Sequence, residues 1–499
     1  MNRLTRLSRA ALLAALSLAA ASPARGQAPR ATASAPDLSA SAAGRLTGSL
    51  IAAVNDADDA AITRWLDGVR SPNAQQPRDE MLAYLRGLRE QGGGLTLGSH
   101  RVTPSGRMVA ELWARRVDGG VEIAVFPDEA DSARLMRIAI QKPLRQGAQF
   151  RPFPTERMDV SRIPGLIDGE LRRLEAADQF SGVVLVGRGD DIFFYGTYGR
   201  ERPGGPRMTT RSRFHLASQG KMFTAVAIAQ LVEAGRISLD QTVGELLPGQ
   251  PWTQQARDIT LRQLLSHTAG LGGLFDRPNY REGHVFGSAT ERLAIFASEP
   301  LYFAPGKRYA YSNEGFETLA AIVEAVTGEP FNEHILRTVL RRADMRTALP
   351  DASADSLTDR AIPSPYQEDD LFGTRPRTTA SRGWNAGGAG GGHASAEDMF
   401  RFARALVGGR LVSRAMVDTL TTGRVDMGGG GRYAYGFMPR QVNGRAVFGH
   451  SGGGPRGVAI CNDIDIFADG SWTVVVMSNY DAPFCGQIKE SITAMLTAN

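Results

Sequence analysis

Strand-like runs stand at both ends of residues 160–499, and helical or loop-rich sequence fills the stretch between them. Near the start, Gly182–Gly187 and Ile192–Gly196 flank Arg188-Gly189-Asp190-Asp191, the pattern of a β-hairpin. Near the end come Ala446–Gly449, Val458–Phe467 and Trp472–Ser478, the last two joined by the turn Ala468-Asp469-Gly470. A lone hairpin is marginal in water and needs further strands or a covering helix. One antiparallel sheet assembled from both chain ends satisfies all of these runs. Helices over Ile163–Ala177 and Gly486–Leu496 bracket it, and the helical middle becomes a subdomain inserted beside it. The expected class is α+β.

With 499 residues the chain exceeds one ordinary core, so more than one domain is expected. Residues 45–150 carry their own pattern. Leu46 to Leu66 and Met81 to Leu88 have apolar residues at helical spacing, and Gly92-Gly93-Gly94 stops the second helix. Leu95–Val102, Met108–Arg115, Val121–Phe126 and Leu135–Ile140 then alternate with period two, as a small antiparallel sheet does. Two helices before a curved sheet resemble the nuclear-transport-factor-2-like domains, which implies a spacer or a protein-partner module. Arg151-Pro152-Phe153-Pro154 marks its end, and a domain over 160–499 follows.

Residues 1–26 read as a secretory signal peptide: Arg3, Arg6 and Arg9 precede the short apolar run Ala10–Ala21, and small residues follow. Ala-, Ser- and Pro-rich residues 27–44 read as a linker. The expected location is therefore periplasmic or secreted, with no transmembrane segment after cleavage. The net charge of +5 includes four arginines and no acid from residues 1–26, so it falls to +1 without them. No basic run with interleaved aromatics suggests nucleic-acid binding. Cys461 and Cys485 are the only cysteines; in an oxidising compartment they either pair or remain two structural thiols.

Chemistry concentrates at Ser218-Gln219-Gly220-Lys221, which opens the apolar run Met222–Val232. A helix places residues three apart on one face, so the Ser218 hydroxyl and the Lys221 amine would meet. A hydroxyl is a weak nucleophile until a base takes its proton, and a buried lysine can serve once its pKa falls. The plain alternative is a serine capping a core helix. A second cluster is Tyr311-Ser312-Asn313, where a phenol beside a lysine can ionise in part or pass a proton, and an asparagine can orient a carbonyl. A third is His450-Ser451-Gly452-Gly453-Gly454. There the glycines would let a substrate backbone lie against a strand. The Gly453 and Ser218 N–H groups would form an oxyanion hole. His450 would donate to a substrate carboxylate or to the tyrosine.

Taken together, Ser-x-x-Lys, Tyr-x-Asn and His-x-Gly in this order resemble the serine β-lactamase and penicillin-binding-protein superfamily. The closest likeness is to the branch of class C β-lactamases, D-alanyl-D-alanine carboxypeptidases and family VIII esterases. It covers about residues 165–495 and includes Phe214-His215-Leu216-Ala217, the stretch Leu264–Leu271 and Pro305–Asn313. The resemblance implies a β-lactamase/transpeptidase-like fold. It implies Ser218 as acyl-accepting nucleophile, Lys221 as its proton partner and Tyr311 as general base and acid. Asn313, His450, Gly452 and Gly453 become substrate contacts, and no metal or organic cofactor is called for. The implied substrate is a small ester or peptide; the alternative is a catalytically silent binder of peptidoglycan fragments or peptides.

The third motif departs from the Lys-Thr-Gly of class C β-lactamases. A mostly neutral His450 replaces a charged lysine that would hold a β-lactam carboxylate, which favours esters and D-amino-acid peptides. His267 reads as the holder of a turn. Gly449-His450-Ser451-Gly452-Gly453 also matches the nucleophile elbow Gly-x-Ser-x-Gly. That fold needs a helix next and a histidine later, whereas a strand follows and His450 is the last histidine. Gly387–Gly392 lacks the Lys-Ser/Thr ending of a phosphate loop, and Ser395 with Asp398 forms a capping box after it. There is no His-Glu-x-x-His zinc signature.

Overall fold

The computed structural model describes residues 37–498 except 59, 75, 104–105, 129, 146–148, 273–285, 351–358, 367–369, 375, 380–386, 429–430, 455–457 and 482–483. The expected signal peptide and the first part of the expected linker lie outside the described residues. No helix among the described residues is long and apolar enough to cross a membrane.

The first module begins earlier than its pattern suggested. Ser41 Oγ accepts from Gly44 N–H at 3.0 Å and starts helix α1 (Ala42–Asn55), so the last residues of the expected linker are helical. The single apolar stretch from Leu46 to Leu66 is two helices, α1 and α2 (Ala61–Val69). Side-chain contacts make the break. Asn55 turns its amide to the backbone of Leu95, accepting at 2.6 Å and donating at 2.8 Å, and Asp58 Oδ1 accepts from Ala60 N–H at 2.8 Å. Helix α3 (Arg78–Gly92) ends at Gly93, whose φ of 64° is one that glycine adopts without strain.

Alternation over 95–144 forms a four-stranded antiparallel meander, β1 (Leu95–Val102), β2 (Met108–Ala114), β3 (Gly120–Pro127) and β4 (Leu135–Leu144). Its apolar face packs beneath the three helices, and the core is completed from far along the chain by Leu371 and Phe372. Leu371 N–H donates to Gln91 Oε1 at 2.9 Å. A Cβ on Gly92 would come within 2.8 Å of Phe372 Cζ, so the glycine makes room for the ring.

The second region is built on one six-stranded antiparallel sheet. Its order is Arg440–Val442, Arg445–Gly453, Cys461–Phe467, Trp472–Ser478, β5 (Gly182–Arg188) and β6 (Asp191–Tyr198). Helix α4 (Ile163–Ala176) and the closing helix Phe484–Thr497 cover one face. Helices of the middle region cover the other, among them α5 (Gly220–Glu233), Asn313–Thr327 and Ala396–Val407. With both faces buried, the central strands are continuous apolar runs rather than alternating ones.

Two strand boundaries shift. The run expected over Ala446–Gly449 extends through Gly453, which puts the His450 motif inside the sheet. The run expected from Val458 starts as a strand only at Cys461, because Ala459 has a φ of 50° and turns the chain. Cys461 and Cys485 form a disulfide with their Cα atoms 5.9 Å apart, joining a central strand to the closing helix.

Candidate active site

Ser218 lies in a single 3₁₀ turn, Ala217–Gln219, that runs into α5. The preceding Ala217 has a φ of 45°, a left-handed conformation that costs a non-glycine residue about 1–2 kcal/mol. Its N–H donates to His215 Nδ1 at 3.2 Å, and its carbonyl accepts from Gly391 N–H at 3.0 Å. The glycine run over 387–392 therefore wraps the serine turn. A Cβ on Gly390 would lie 2.2 Å from Ala217 O.

Helix α5 is apolar on nearly every side because protein surrounds it, and Lys221 is fully buried. Its Nζ lies 3.3 Å from Ser218 Oγ, 2.8 Å from Asn313 Oδ1 and against the carbonyl of Ala389. Burial lowers the Lys221 pKa to about 7, against the opposing pull of Glu317 and Glu314. Glu317 is itself buried and accepts from Gly388 N–H at 3.1 Å and Ala389 N–H at 3.2 Å, fixing the carbonyl that Lys221 meets.

A neutral amine has two N–H bonds and one lone pair. The Ala389 carbonyl and Asn313 Oδ1 can only accept, so they take both N–H bonds. The lone pair is left for the Ser218 hydroxyl.

Tyr311 precedes the helix Asn313–Thr327, whose N-cap Ser312 Oγ accepts from Gly315 N–H at 3.0 Å. That cap starts the helix at Asn313, beside Lys221. Tyr311 is 41% exposed, with one face open to the cleft. On its other sides the His267 ring lies 4.3 Å away, centroid to centroid, and Lys221 Nζ 4.8 Å from the ring centre. Packing raises the Tyr311 phenol above its usual range, although the Ser218 hydroxyl within hydrogen-bonding reach opposes the shift. The expected partial phenolate is thus not what this environment favours; the group poised near neutrality is Lys221.

His267 has a φ of 59°, and its Nδ1 accepts from Ser312 N–H at 3.1 Å, so it holds the turn before Tyr311. Burial, with Lys221 and His450 adding to it, keeps its pKa well below the ordinary histidine value.

His450 departs most from expectation. It is buried at 2% exposure, with Nδ1 2.6 Å from the Ser451 carbonyl and Nε2 3.0 Å from Tyr433 Oη. Nδ1–H donates to the carbonyl and Nε2 accepts from the phenol, so no ring N–H remains for a substrate carboxylate or for Tyr311. Burial lowers its pKa to about 3, helped by the charge of Lys221. Tyr433, which fixes this tautomer, belongs to no sequence motif.

The glycines also act differently from expectation. A Cβ on Gly452 would lie 2.1 Å from Leu216 O and 3.1 Å from Gln219 Cγ, so this glycine lets strand Arg445–Gly453 press against the serine turn rather than against a substrate. Gln219 Nε2 locks the contact by donating to His450 O at 3.2 Å. Met438 N–H donates to Gly449 O at 2.8 Å, away from strand Cys461–Phe467. Strand alternation turns the polar backbone groups of Ser451 and Gly453 the same way, to the side away from strand Cys461–Phe467. Ser218, Tyr311, His450, Gly452 and Gly453 line one open cleft of about 430 Å³, with Lys221 and Asn313 packed behind Ser218.

A family model described as Beta-lactamase matches residues 167–491. "Penicillin-binding protein 4*" of Bacillus subtilis (strain 168) is 32% identical over 181 residues, 34% of this chain and 37% of that protein. "Esterase EstB" of Burkholderia gladioli is 30% identical over 201 residues, 38% of this chain and 50% of that protein. The matches thus span between about a third and a half of these relatives' lengths. Among solved structures, a penicillin binding protein from Bacillus halodurans superposes with a TM-score of 0.56 at 26% identity, covering 68% of this chain and 99% of that one.

Proposed function

This chain belongs to the beta-lactamase family, and on that premise we propose that it is a periplasmic or secreted serine hydrolase that cleaves esters or amides through an acyl-enzyme on Ser218. The observation that carries the reading is the setting of one nitrogen. Lys221 Nζ is buried, has a pKa near 7, and meets two obligate acceptors and the Ser218 hydroxyl. A lysine whose pKa burial brings down to about 7 suits a proton acceptor and is poorly suited to a purely binding cleft.

Ser218 Oγ attacks the carbonyl carbon while its proton passes to Lys221 Nζ, directly or across the Tyr311 hydroxyl. The carbonyl π pair moves onto oxygen, and the Ser218 and Gly453 N–H groups stabilise the oxyanion. Collapse breaks the bond to the leaving alcohol or amine, which recovers the proton. Water repeats the sequence on the acyl group and frees Ser218. Asn313 holds Lys221 in place and presents its amide to the substrate. His450 acts through Ser451 and Tyr433 by fixing the strand Arg445–Gly453.

No cation takes the place of the lysine in the third motif, so esters and D-amino-acid peptides suit the cleft better than β-lactams. The module over 37–144 is assigned a spacer or partner-binding role. The test is intact mass after exposure to a fluorophosphonate. One adduct is expected on the wild type and none on Ser218→Ala. No adduct on the wild type, or equal labelling of the variant, would overturn the assignment.

A further inference from the structure

We propose that Asp463 makes the cleft selective for substrates carrying a protonated amine near the scissile carbonyl. The inference rests on the serine hydrolase reading above and names its substrate class.

Ser451 and Asp463 are direct partners on neighbouring antiparallel strands. Directly opposed residues share a face of the sheet with their Cβ atoms about 4.5–5.5 Å apart. Both line the cleft that contains Ser218 and Tyr311. Among the described residues of that lining, Asp463 is the one acidic side chain, and it faces a lysine, Lys489. His450 is held neutral, and the Tyr311 phenol keeps its proton.

The two oxygens of Asp463 differ. Oδ1 accepts from Lys489 Nζ at 3.2 Å, whereas Oδ2 has no hydrogen-bond partner among the described residues. Lys489 cannot neutralise the carboxylate alone, because it also lies 3.6 Å from Asp465. Asp465 in turn pairs with Arg440 and accepts from Thr493 Oγ1 at 2.6 Å. These groups lie beneath the closing helix. Burial raises the Asp463 carboxyl above its usual range, a cost that Lys489 offsets in part. A carboxylate oxygen left short of donors in a cleft wall is costly, and an ammonium entering the cleft supplies the missing donor. A substrate carboxylate in the same place meets repulsion.

The test compares p-nitrophenyl 3-aminopropanoate with p-nitrophenyl butanoate, which differ in charge and little in shape. The wild type is expected to favour the amine in kcat/KM by about tenfold, the scale of one charge-assisted hydrogen bond. In Asp463→Asn the ratio should fall to about one. A purely structural Asp463 would lower both rates and leave the ratio unmoved. Equal rates in the wild type, or a preference that survives in Asp463→Asn, would overturn the proposal. Calorimetry with benzylammonium and benzoate reads the same preference without turnover. Tighter benzylammonium binding, lost in Asp463→Asn, supports the proposal, and equal or reversed affinities in the wild type refute it. If benzylammonium binds as expected but neither ester is hydrolysed and Ser218 resists labelling, the hydrolase reading fails while this one stands.

Discussion

Asn313 and Lys221, 92 residues apart in sequence, meet at 2.8 Å through Oδ1 and Nζ. Because the amide oxygen can only accept, it helps decide which way the lysine's lone pair points.

That geometry and a Lys221 pKa of about 7 give a pH profile. For a neutral ester, kcat/KM should rise about tenfold per pH unit below 7 and level off above it. Lys221→Met should lose on the order of 10²–10⁴ in rate, as expected for a positioned proton acceptor. A flat profile, or a loss under threefold, would contradict the role. Stability follows the same group. Its folded pKa lies below the ordinary 10.5, so the unfolded chain binds more protons between about 7 and 10.5. Wild-type stability should therefore climb with pH across that window relative to Lys221→Met. Denaturant midpoints at several pH values measure it.

Glu317 pulls the Lys221 pKa upward from beneath the Gly388–Ala389 backbone. In Glu317→Gln the ascending limb of the activity profile should move to lower pH. The same change weakens a buried acceptor of two backbone N–H groups, with an expected cost of about 1–3 kcal/mol. An unmoved limb in a folded variant would show that the Glu317 charge does not reach the lysine.

His450 predicts sensitivity to acid. Its folded pKa of about 3 lies below the ordinary 6.5, so the unfolded state takes up a proton first as pH falls. Stability should be lost from about pH 6.5 toward 3, with a slope of up to about 1.4 kcal/mol per pH unit from this residue. His450→Gln should flatten the slope, and NMR should show a neutral imidazole at pH 5. Tyr433→Phe removes the donor to His450 Nε2 and should cost about 1–3 kcal/mol. A charged imidazole at pH 5 would refute the buried tautomer.

Phe372→Ala should cost about 3–5 kcal/mol, the range for deleting a buried aromatic ring. Because the ring belongs to the core of the first module, limited proteolysis should then cut first within residues 37–144. Unchanged stability would mean that the module closes without the ring.

Much of this was legible in the sequence, for identifiable reasons. Val183 to Val186 and Val474 to Met477 announce central strands because both sheet faces are covered. Ser218 and Lys221 announce each other because three residues make one helical turn. What stayed hidden depends on partners distant in sequence. The gap between α1 and α2 follows from Asn55 reaching Leu95. The purpose of Gly452 follows from a carbonyl at Leu216, and the disposition of His450 from a phenol at Tyr433. Asp463 gains meaning only when strand register sets it opposite Ser451. No spacing rule links residues whose meeting is set by how strands and turns stack.

Leu371 and Phe372 also impose an order of events. The three helices and four strands of the first module are complete by Leu144, yet their core still lacks two side chains that lie more than two hundred residues downstream. At ribosomal speed that is a delay of roughly 10–50 s. For that interval the early module is an unfinished vessel, open where the ring will later sit. The second region, in supplying the stopper, makes completion of the first-made part wait on the synthesis of the later one.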